Sequence, residues 1–217
     1  QLHWPERFTN TFGIRGYKHQ SSDKWKDNFY EILRVLNELI KSGKIRHVGL
    51  SNENPWGIMR FLEEAKNDLP KMITVQNPYS LLNRQYEVGN AEISMRENIG
   101  LLAYSPLGCG VLSGKYVNGT DQPNSRLNLF KRFVRYSSKQ STEATKRYLD
   151  LAKRFDISLA NMALAFVNHQ PFVTSNIIGA TSLSQLDENI ESINVVLSSA
   201  LLDEIEKIHQ EIPDPST

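Results

Sequence analysis

Cysteine is almost absent from this sequence, since Cys109 is the single one in 217 residues. One thiol excludes a disulfide within the chain and a zinc site built from cysteines, and it agrees with a reducing, cytoplasmic location. Long apolar runs are also missing, because stretches such as "NMALAFV" are far too short to cross a bilayer. Neither sign of charge is in excess, with 25 Lys and Arg against 24 Asp and Glu. We therefore expect no membrane and no nucleic acid as a partner.

The first residues, "QLHWPERFTN", lack an initiator methionine and lack a charged segment followed by an apolar run. The pattern places His3 at the end of a β-strand, and a protein rarely begins inside such an element. From this opening we expect the chain to start in the middle of a longer one.

Short apolar stretches alternate with helical patterns along the chain. One clear helical pattern is "DNFYEILRVLNELIKSGK", and another is "PWGIMRFLEEAKN", with Pro55 in its first turn, where a missing N–H costs nothing. The alternation predicts an α/β fold with a parallel sheet and right-handed crossovers. The predicted strands lie in "QLHW", "IRHVGLSN", "MITVQNPYS", "IGLLAYSPL" and "TSNIIGA".

We expect residues 1–217 to form a single domain, because the chain is long enough for one good core. The stretch 108–141 differs from the rest, since it is rich in Gly, Asn, Ser, Lys and Arg and shows no sustained period. A loop of this length in a compact domain is usually functional or mobile. We predict that it is a long loop covering a ligand.

Polar residues follow the apolar part of each predicted strand, and ligands bind at the carboxyl ends of parallel strands both in (β/α)8 barrels and in open α/β sheets. Periodicity alone does not separate these two folds. No GxGxxG follows any strand, which counts modestly against a dinucleotide-binding Rossmann domain. Five strands are counted where a closed barrel needs eight, so we expect strands 4 to 8 of a (β/α)8 barrel.

Five ordered motifs resemble the aldo-keto reductase family, in the branch that holds the bacterial Tas-type reductases and the potassium-channel β subunits. The motifs are "LHWP", "GKIRHVGLSN", "VQNPYSLLNR", "LLAYSPLGCGVLSGKY" and "IIGATSLSQLDENI". The resemblance implies a (β/α)8 TIM barrel that binds NADPH without a Rossmann domain and reduces aldehydes or ketones. The chain would be the C-terminal part of such a barrel.

His3 in "LHWP" matches the family histidine that orients the substrate carbonyl. Taken alone, a histidine near a terminus is more often structural than catalytic. The following "WP" and the resemblance together favour the catalytic role instead. The family also uses an Asp, a Tyr and a Lys in catalysis, and these would lie before residue 1. Because the tyrosine is the general acid, we expect little turnover from residues 1–217 alone.

Small polar residues at two strand ends, Ser51, Asn52 and Gln76, supply the donors and acceptors that an amide ligand needs. Without the resemblance, capping of the next helix by residues 52–54 is the favoured interpretation. With it, these three residues hold the nicotinamide carboxamide. The resemblance also makes Tyr104 the aromatic ring that stacks on the nicotinamide.

The segment "SPLGCGVLSGKY" joins a strand end to glycines, whose N–H groups and close backbone approach suit phosphate, although such loops are also common turns. Through the resemblance, Lys115 and Arg126 face the pyrophosphate, and Asn124 stands where close relatives often carry Tyr. A redox role for Cys109 is a minor alternative, because nothing nearby in sequence lowers its pKa. The implied cofactor contacts of this segment are Ser105, Pro106, Leu107, Gly108, Cys109, Lys115 and Arg126.

The last motif, "GATSLSQLDENI", places hydroxylated residues at a helix N-terminus, where the dipole attracts an anion and where an N-cap is the ordinary interpretation. The resemblance implies contacts with the adenosine and its 2′-phosphate, and hence a preference for NADPH. No lysine or arginine inside the motif enforces that preference strongly. The residues concerned are Gly179, Thr181, Gln185, Glu188 and Asn189.

Three functions remain open at this point. The first is an NADPH-dependent reductase of small carbonyl compounds, which His3 favours because the channel branch tends to carry Asn there. The second is an NADPH-binding regulatory protein without chemistry, which the missing Tyr and Lys favour. The third is an unrelated doubly wound α/β binding protein. A partial barrel also leaves unpaired strand edges, so we expect association with a second copy or with its own N-terminal segment.

Overall fold

In the computed structural model, the described residues are 1–66, 68–117, 125–130 and 135–217. Within them, four strands form one parallel sheet in the order β1-β2-β3-β4. The strands are β1 (Val48–Ser51), β2 (Met72–Pro78), β3 (Gly100–Tyr104) and β4 (Val173–Ile177). The order of the strands in the sheet is the same as their order in the sequence, and each connection between two strands contains at least one helix. This is the predicted α/β fold with a parallel sheet, and four strands joined by helices are consistent with part of a (β/α)8 barrel.

The two helices predicted in "DNFYEILRVLNELIKSGK" and "PWGIMRFLEEAKN" are present, with ends displaced by a few residues. The second begins with Pro55 at its first position, as expected. Among the described residues, no helix combines the length and apolarity needed to cross a membrane. The longer helices are α1 (Phe29–Lys41), α2 (Pro55–Ala65), α3 (Tyr86–Glu97), α5 (Lys139–Arg154), α6 (Leu159–Asn168), α7 (Leu183–Glu191) and α8 (Ser199–Glu211), and the short α4 covers Arg126–Leu129.

The predicted first strand, "QLHW", is wrong in extent. Only Leu2 pairs, in a single parallel bridge with Leu50, and its N–H donates to the Gly49 carbonyl at 3.0 Å. The pairing does not continue because β1 ends at Ser51 and Asn52 turns into the left-handed region at φ 54°. The Asn52 side chain, rather than its backbone, then binds the carbonyl of His3 at 2.8 Å.

The stretch 108–141, predicted as one long loop, contains regular structure. Residues Gly108–Ser113 form a 3₁₀ segment with a kink at Cys109 and Gly110, α4 follows at Arg126, and α5 already begins at Lys139. Ser138 caps α5, since its Oγ accepts from the Ser141 N–H at 3.0 Å. The sequence lacks a sustained period here because each helical piece is too short to show one. Asn124 lies outside the described residues.

The chain divides into two compact units, and unit 1 comprises Gln1–Asn77 and Tyr86–Leu102. Its core is aromatic where α1 meets α2, because the Phe29 and Phe61 rings pack edge to face with centroids 4.6 Å apart.

The register of β1 on β2 shifts between Val48 and Leu50. A Cβ at Gly49 would lie 3.0 Å from the Thr74 carbonyl oxygen, so glycine permits this close approach. The shift pairs Ser51 with Gln76 at the strand end.

Unit 2 comprises Pro78–Gln85 and Ala103–Thr217. Helix α6 is its centre, since nearly every one of its residues is buried. The Tyr79 ring stacks on Phe166 at 6.0 Å within this core. The C-terminal tail is fixed to the same unit, because the Ser216 N–H donates to the Leu82 carbonyl at 3.0 Å.

Candidate functional site

In unit 1 the structure brings the three predicted carboxamide residues together at the ends of β1 and β2. The Ser51 hydroxyl donates to the Gln76 carbonyl at 2.8 Å, and the Asn52 N–H donates to the same oxygen at 3.1 Å. The Asn52 amide also donates to the Ser51 Oγ at 3.1 Å. Ser51 and Asn52 are both buried, while Gln76 is half-buried. The Ser51 and Asn52 side chains are therefore fixed at the strand end, and Gln76 takes part in the cluster through its backbone carbonyl.

Helix capping, the alternative interpretation of residues 52–54, does not account for these side chains. Asn54 is the N-cap residue of α2, yet its side chain makes no capping bond. Its amide donates instead to the Thr9 hydroxyl at 2.8 Å and to the Asn10 carbonyl at 3.2 Å. Residues 52–54 thus connect the N-terminal segment to the strand end.

His3 lies on the surface of unit 1 rather than in a core. Its side chain is exposed, and its ring lies 4.1 Å from the Trp4 ring at an interplanar angle of 36°. The Asn52 amide holds its backbone carbonyl. The histidine is therefore anchored through its backbone while its imidazole faces outward, which is not the environment of a structural core histidine.

A buried ion pair beside this cluster is the main feature that the sequence did not reveal. The Arg7 guanidinium donates to both carboxylate oxygens of Glu53, at 2.6 and 3.1 Å. Only 10% of the Arg7 side chain and 4% of the Glu53 side chain are exposed. The two residues are 46 positions apart, so no local pattern joins them. Gly57, one helical turn after Glu53, was the single available hint, because glycine early in a helix needs a reason.

In unit 2, Tyr104 ends β3 as predicted, and two residues missed from the sequence surround it. Burial raises the pKa of the Tyr104 hydroxyl, and the Arg135 charge and a hydrogen bond with Arg135 oppose that rise. The Arg135 guanidinium also lies over the ring of the buried Tyr136, 4.9 Å from its centroid. The tyrosine predicted to stack on nicotinamide therefore interacts with an arginine side chain.

The glycine-rich segment differs from an open phosphate-binding loop. Its N–H groups bond internally, with Gly108 donating to the Ser105 carbonyl at 2.8 Å and Gly110 to the Leu107 carbonyl at 2.9 Å. Ser105, Cys109 and Gly110 all have positive φ, and the last two form a kink inside the 3₁₀ segment. These two N–H groups are therefore already occupied, and the assignment of the segment to the cofactor stays a prediction. Pro106 and Leu107 lie at the entry to this helix.

Positively charged side chains lie close to this segment. The Lys115 ammonium lies 5.3 Å from the Tyr116 ring centroid and close to Gly110. The Arg126 charge acts on the Cys109 thiol, which places Arg126 beside the same 3₁₀-helix. The Tyr116 hydroxyl and the Ser125 hydroxyl are buried and find no hydrogen-bond partner in the described part of the chain. Lys115 and Arg126 therefore both lie beside this segment, and each is next in sequence to a residue with an unsatisfied hydroxyl.

The predicted adenosine contacts at α7 form a capped helix N-terminus. The Ser182 Oγ accepts from the Gln185 N–H at 3.3 Å, and the Gln185 side chain accepts from the Thr181 N–H at 3.0 Å. The Glu188 carboxylate accepts from the Ser158 hydroxyl, and the buried Asn189 amide donates to the Gly179 carbonyl. The structure brings all five residues together, and the space around Gly179 is open.

Cys109 is a half-buried thiol in unit 2. Burial raises its pKa, while the charges of Arg126 and Arg135 pull in the opposite direction. Within the described ranges, no three His, Cys, Asp or Glu side chains come together as they would around a metal ion. The cysteine therefore lacks the lowered pKa of a reactive thiol.

Comparison with known proteins decides the family. The Aldo/keto reductase family matches residues 1–210. The chain belongs to the aldo/keto reductase family.

Among its relatives, this aldo/keto reductase chain is 50% identical to Protein tas of Escherichia coli (strain K12) over 216 residues, which are 97% of this chain and 61% of the relative. It is 36% identical to an Aldo-keto reductase of Babesia bovis, covering 99% of the chain and 81% of the relative. It is 32% identical to the L-glyceraldehyde 3-phosphate reductase of Escherichia coli (strain K12), and the match covers 85% of this chain and 54% of the relative. The chain thus spans about three-fifths of Protein tas.

Proposed function

We propose that this aldo/keto reductase chain is the NADPH-binding part of an oxidoreductase that reduces aldehydes and ketones to alcohols. The observation that carries the proposal lies in unit 2, where Lys115 and Arg126 accompany the unsatisfied hydroxyls of Tyr116 and Ser125. Buried hydroxyls without a partner are rare in proteins and call for one. A pyrophosphate accepts hydrogen bonds from hydroxyls and cations together, so it fits this set.

In unit 1, Ser51, Asn52 and Gln76 carry the amide and hydroxyl groups that would bind the nicotinamide carboxamide. When bound, NADPH supplies a hydride to the carbonyl carbon. His3 would donate a hydrogen bond to the carbonyl oxygen, since its imidazole is exposed and its backbone is anchored by Asn52. Tyr104 would support the nicotinamide ring, and Arg135 fixes the position of the tyrosine.

The preference for NADPH over NADH is the finer part of the proposal. The capped N-terminus of α7 offers hydroxyl and amide groups to the adenosine, with open space at Gly179. We assign the 2′-phosphate to Thr181 and Gln185 because a helix N-terminus favours an anion. An acidic neighbour, Glu188, is already held by Ser158.

An NADPH-binding regulatory protein is the alternative function. His3 itself favours the reductase, since a binding protein has no use for a hydrogen-bond donor at a substrate carbonyl. A cytoplasmic location and association with a second copy remain predictions.

A chimera separates the two functions. In Protein tas, the 216 matched residues would be replaced by this chain, and NADPH oxidation would be followed with 4-nitrobenzaldehyde. We expect aldehyde-dependent oxidation that falls roughly 10²-fold or more in the His3→Ala chimera, the lower end of general acid–base contributions. Tight NADPH binding with no oxidation, and no effect of His3→Ala, would favour the regulatory protein.

A further inference from the structure

The Arg7–Glu53 ion pair is buried next to the strand end that carries Ser51 and Asn52. A buried ion pair is costly to desolvate and gives little net stability compared with apolar residues of the same size. Its presence in unit 1 therefore calls for a reason other than stability. The sequence resemblance assigns neither residue a role.

The pair is built with several supporting contacts. The Glu53 carboxylate accepts a third hydrogen bond, from the Asn54 N–H at 2.8 Å, and the Glu53 carbonyl accepts from the Asn77 amide at 2.9 Å. The Trp56 ring lies under the Arg7 guanidinium at 4.8 Å. At Gly57, a Cβ would lie 2.6 Å from the Arg7 Nη2 atom, so only glycine leaves room for the pair.

The pair joins the two segments that carry the proposed chemistry of unit 1. Glu53 directly follows Asn52, and Arg7 lies four residues after His3. A second link joins the same segments, because the Asn52 amide donates to the His3 carbonyl at 2.8 Å. With two links, the His3 segment can neither shift along the strand end nor rotate away from it. A bidentate arginine fixes orientation as well as distance.

We propose that Arg7 and Glu53 are positioning residues that set His3 and Asn52 for the nicotinamide half of the cofactor. They act through the backbone of residues 3–7 and 51–53 and do not contact the cofactor themselves. This inference rests on the proposed function, because it needs a nicotinamide to be bound by these residues.

The test compares two probes, NADPH and 2′,5′-ADP, which lacks the nicotinamide half. In Glu53→Gln the side chain keeps its shape and loses its charge. We expect NADPH affinity to fall at least 10-fold, while 2′,5′-ADP affinity changes less than 2-fold. The matched control is Glu92→Gln, which removes an exposed ion pair with Arg96 of 2.7 Å in the same unit. That variant should leave both affinities unchanged.

A double variant, Arg7→Met with Glu53→Met, removes both charges and so leaves no uncompensated buried ion. We expect it to restore the thermal stability lost in Glu53→Gln, or to supply a folded protein if Glu53→Gln does not fold, while the loss of NADPH affinity persists. NADPH affinity that returns together with stability would overturn the positioning role, because the pair would then be structural only.

The failure of this inference and the failure of the proposed function give different results. A wild-type chain that binds neither NADPH nor 2′,5′-ADP would contradict the proposed function. A wild-type chain that binds NADPH more tightly than 2′,5′-ADP, and whose Glu53→Gln variant keeps that difference, would contradict the positioning role alone.

Discussion

Among single residues, Tyr116 has an unsatisfied hydroxyl, and removing this hydroxyl should have different effects on thermal stability and on NADPH affinity. Without cofactor, Tyr116→Phe removes a buried group that has no partner among the described residues, so thermal stability should stay level or rise slightly. With cofactor, the variant loses a hydrogen bond to phosphate, and NADPH affinity should fall about threefold to tenfold, or about 0.5–1.5 kcal/mol. Thermal melts and NADPH titrations of both proteins measure the two effects. Lower stability with unchanged affinity would contradict the assignment.

Tyr86, a buried tyrosine in unit 1, should make the free energy of unfolding depend on pH. Burial raises the pKa of Tyr86 to about 12, and a hydrogen bond with Ser94 opposes the rise. Because the folded pKa lies above the unfolded value, the protonated hydroxyl stabilises the fold fully below about pH 10, and this stability is lost as the pH rises toward 12. Urea unfolding across that window should show the wild type losing about 3 kcal/mol more than Tyr86→Phe. Parallel pH profiles for the two proteins would exclude this effect.

Residues that act at a strand end could be found from the sequence, and residues that act through a distant partner could not. Ser51 and Asn52 follow an apolar strand, so their place at a sheet edge is a local property of the sequence. The Arg7–Glu53 pair depends on how two segments 46 residues apart are packed. Only the tertiary structure brings the two residues together.

At the scale of elements, the 3₁₀-helix Gly108–Ser113 depends on glycine at one position. Gly110 has φ 91°, and a Cβ there would lie 3.2 Å from both Cε and Nζ of Lys115. We expect Gly110→Ala to destabilise the protein by about 1–3 kcal/mol through backbone strain and to displace the lysine, which weakens NADPH binding. The control is Gly16→Ala, since a Cβ at Gly16 would meet no atom within 4 Å and this glycine has no positive φ. Equal melting temperatures for the two variants would contradict the argument.

Elements with a full repeat were predictable, and short ones were not. Helices α1 and α8 each show several turns of apolar spacing, so the sequence places them within a few residues. The helical pieces between 108 and 129 are one or two turns long and carry no such repeat. The first predicted strand failed for a different reason, because its pairing ends where Asn52 leaves the extended conformation.

At the scale of the whole molecule, apolar side chains remain on the surface of unit 2. Leu183, Ile193 and Val196 are 79%, 69% and 92% exposed, and β4 is an outer strand of the described sheet. Exposed apolar residues and the edge of an outer strand each favour association. We expect light scattering with size exclusion to give a mass above 24.8 kDa, and Leu183→Lys with Val196→Lys to lower it. A monomeric wild type that unfolds cooperatively would refute this prediction.

The most direct test of the account is an NADPH titration of the 217-residue chain, followed by fluorescence, against its Lys115→Ala, Arg126→Ala double variant. Charge-assisted hydrogen bonds contribute roughly 1.5–3 kcal/mol each, so removing both cations should weaken binding about a hundredfold or more. The account predicts saturable binding of one NADPH per chain in the wild type and this loss in the variant. Equal affinity in the two proteins, or no saturable binding by the wild type, would contradict it.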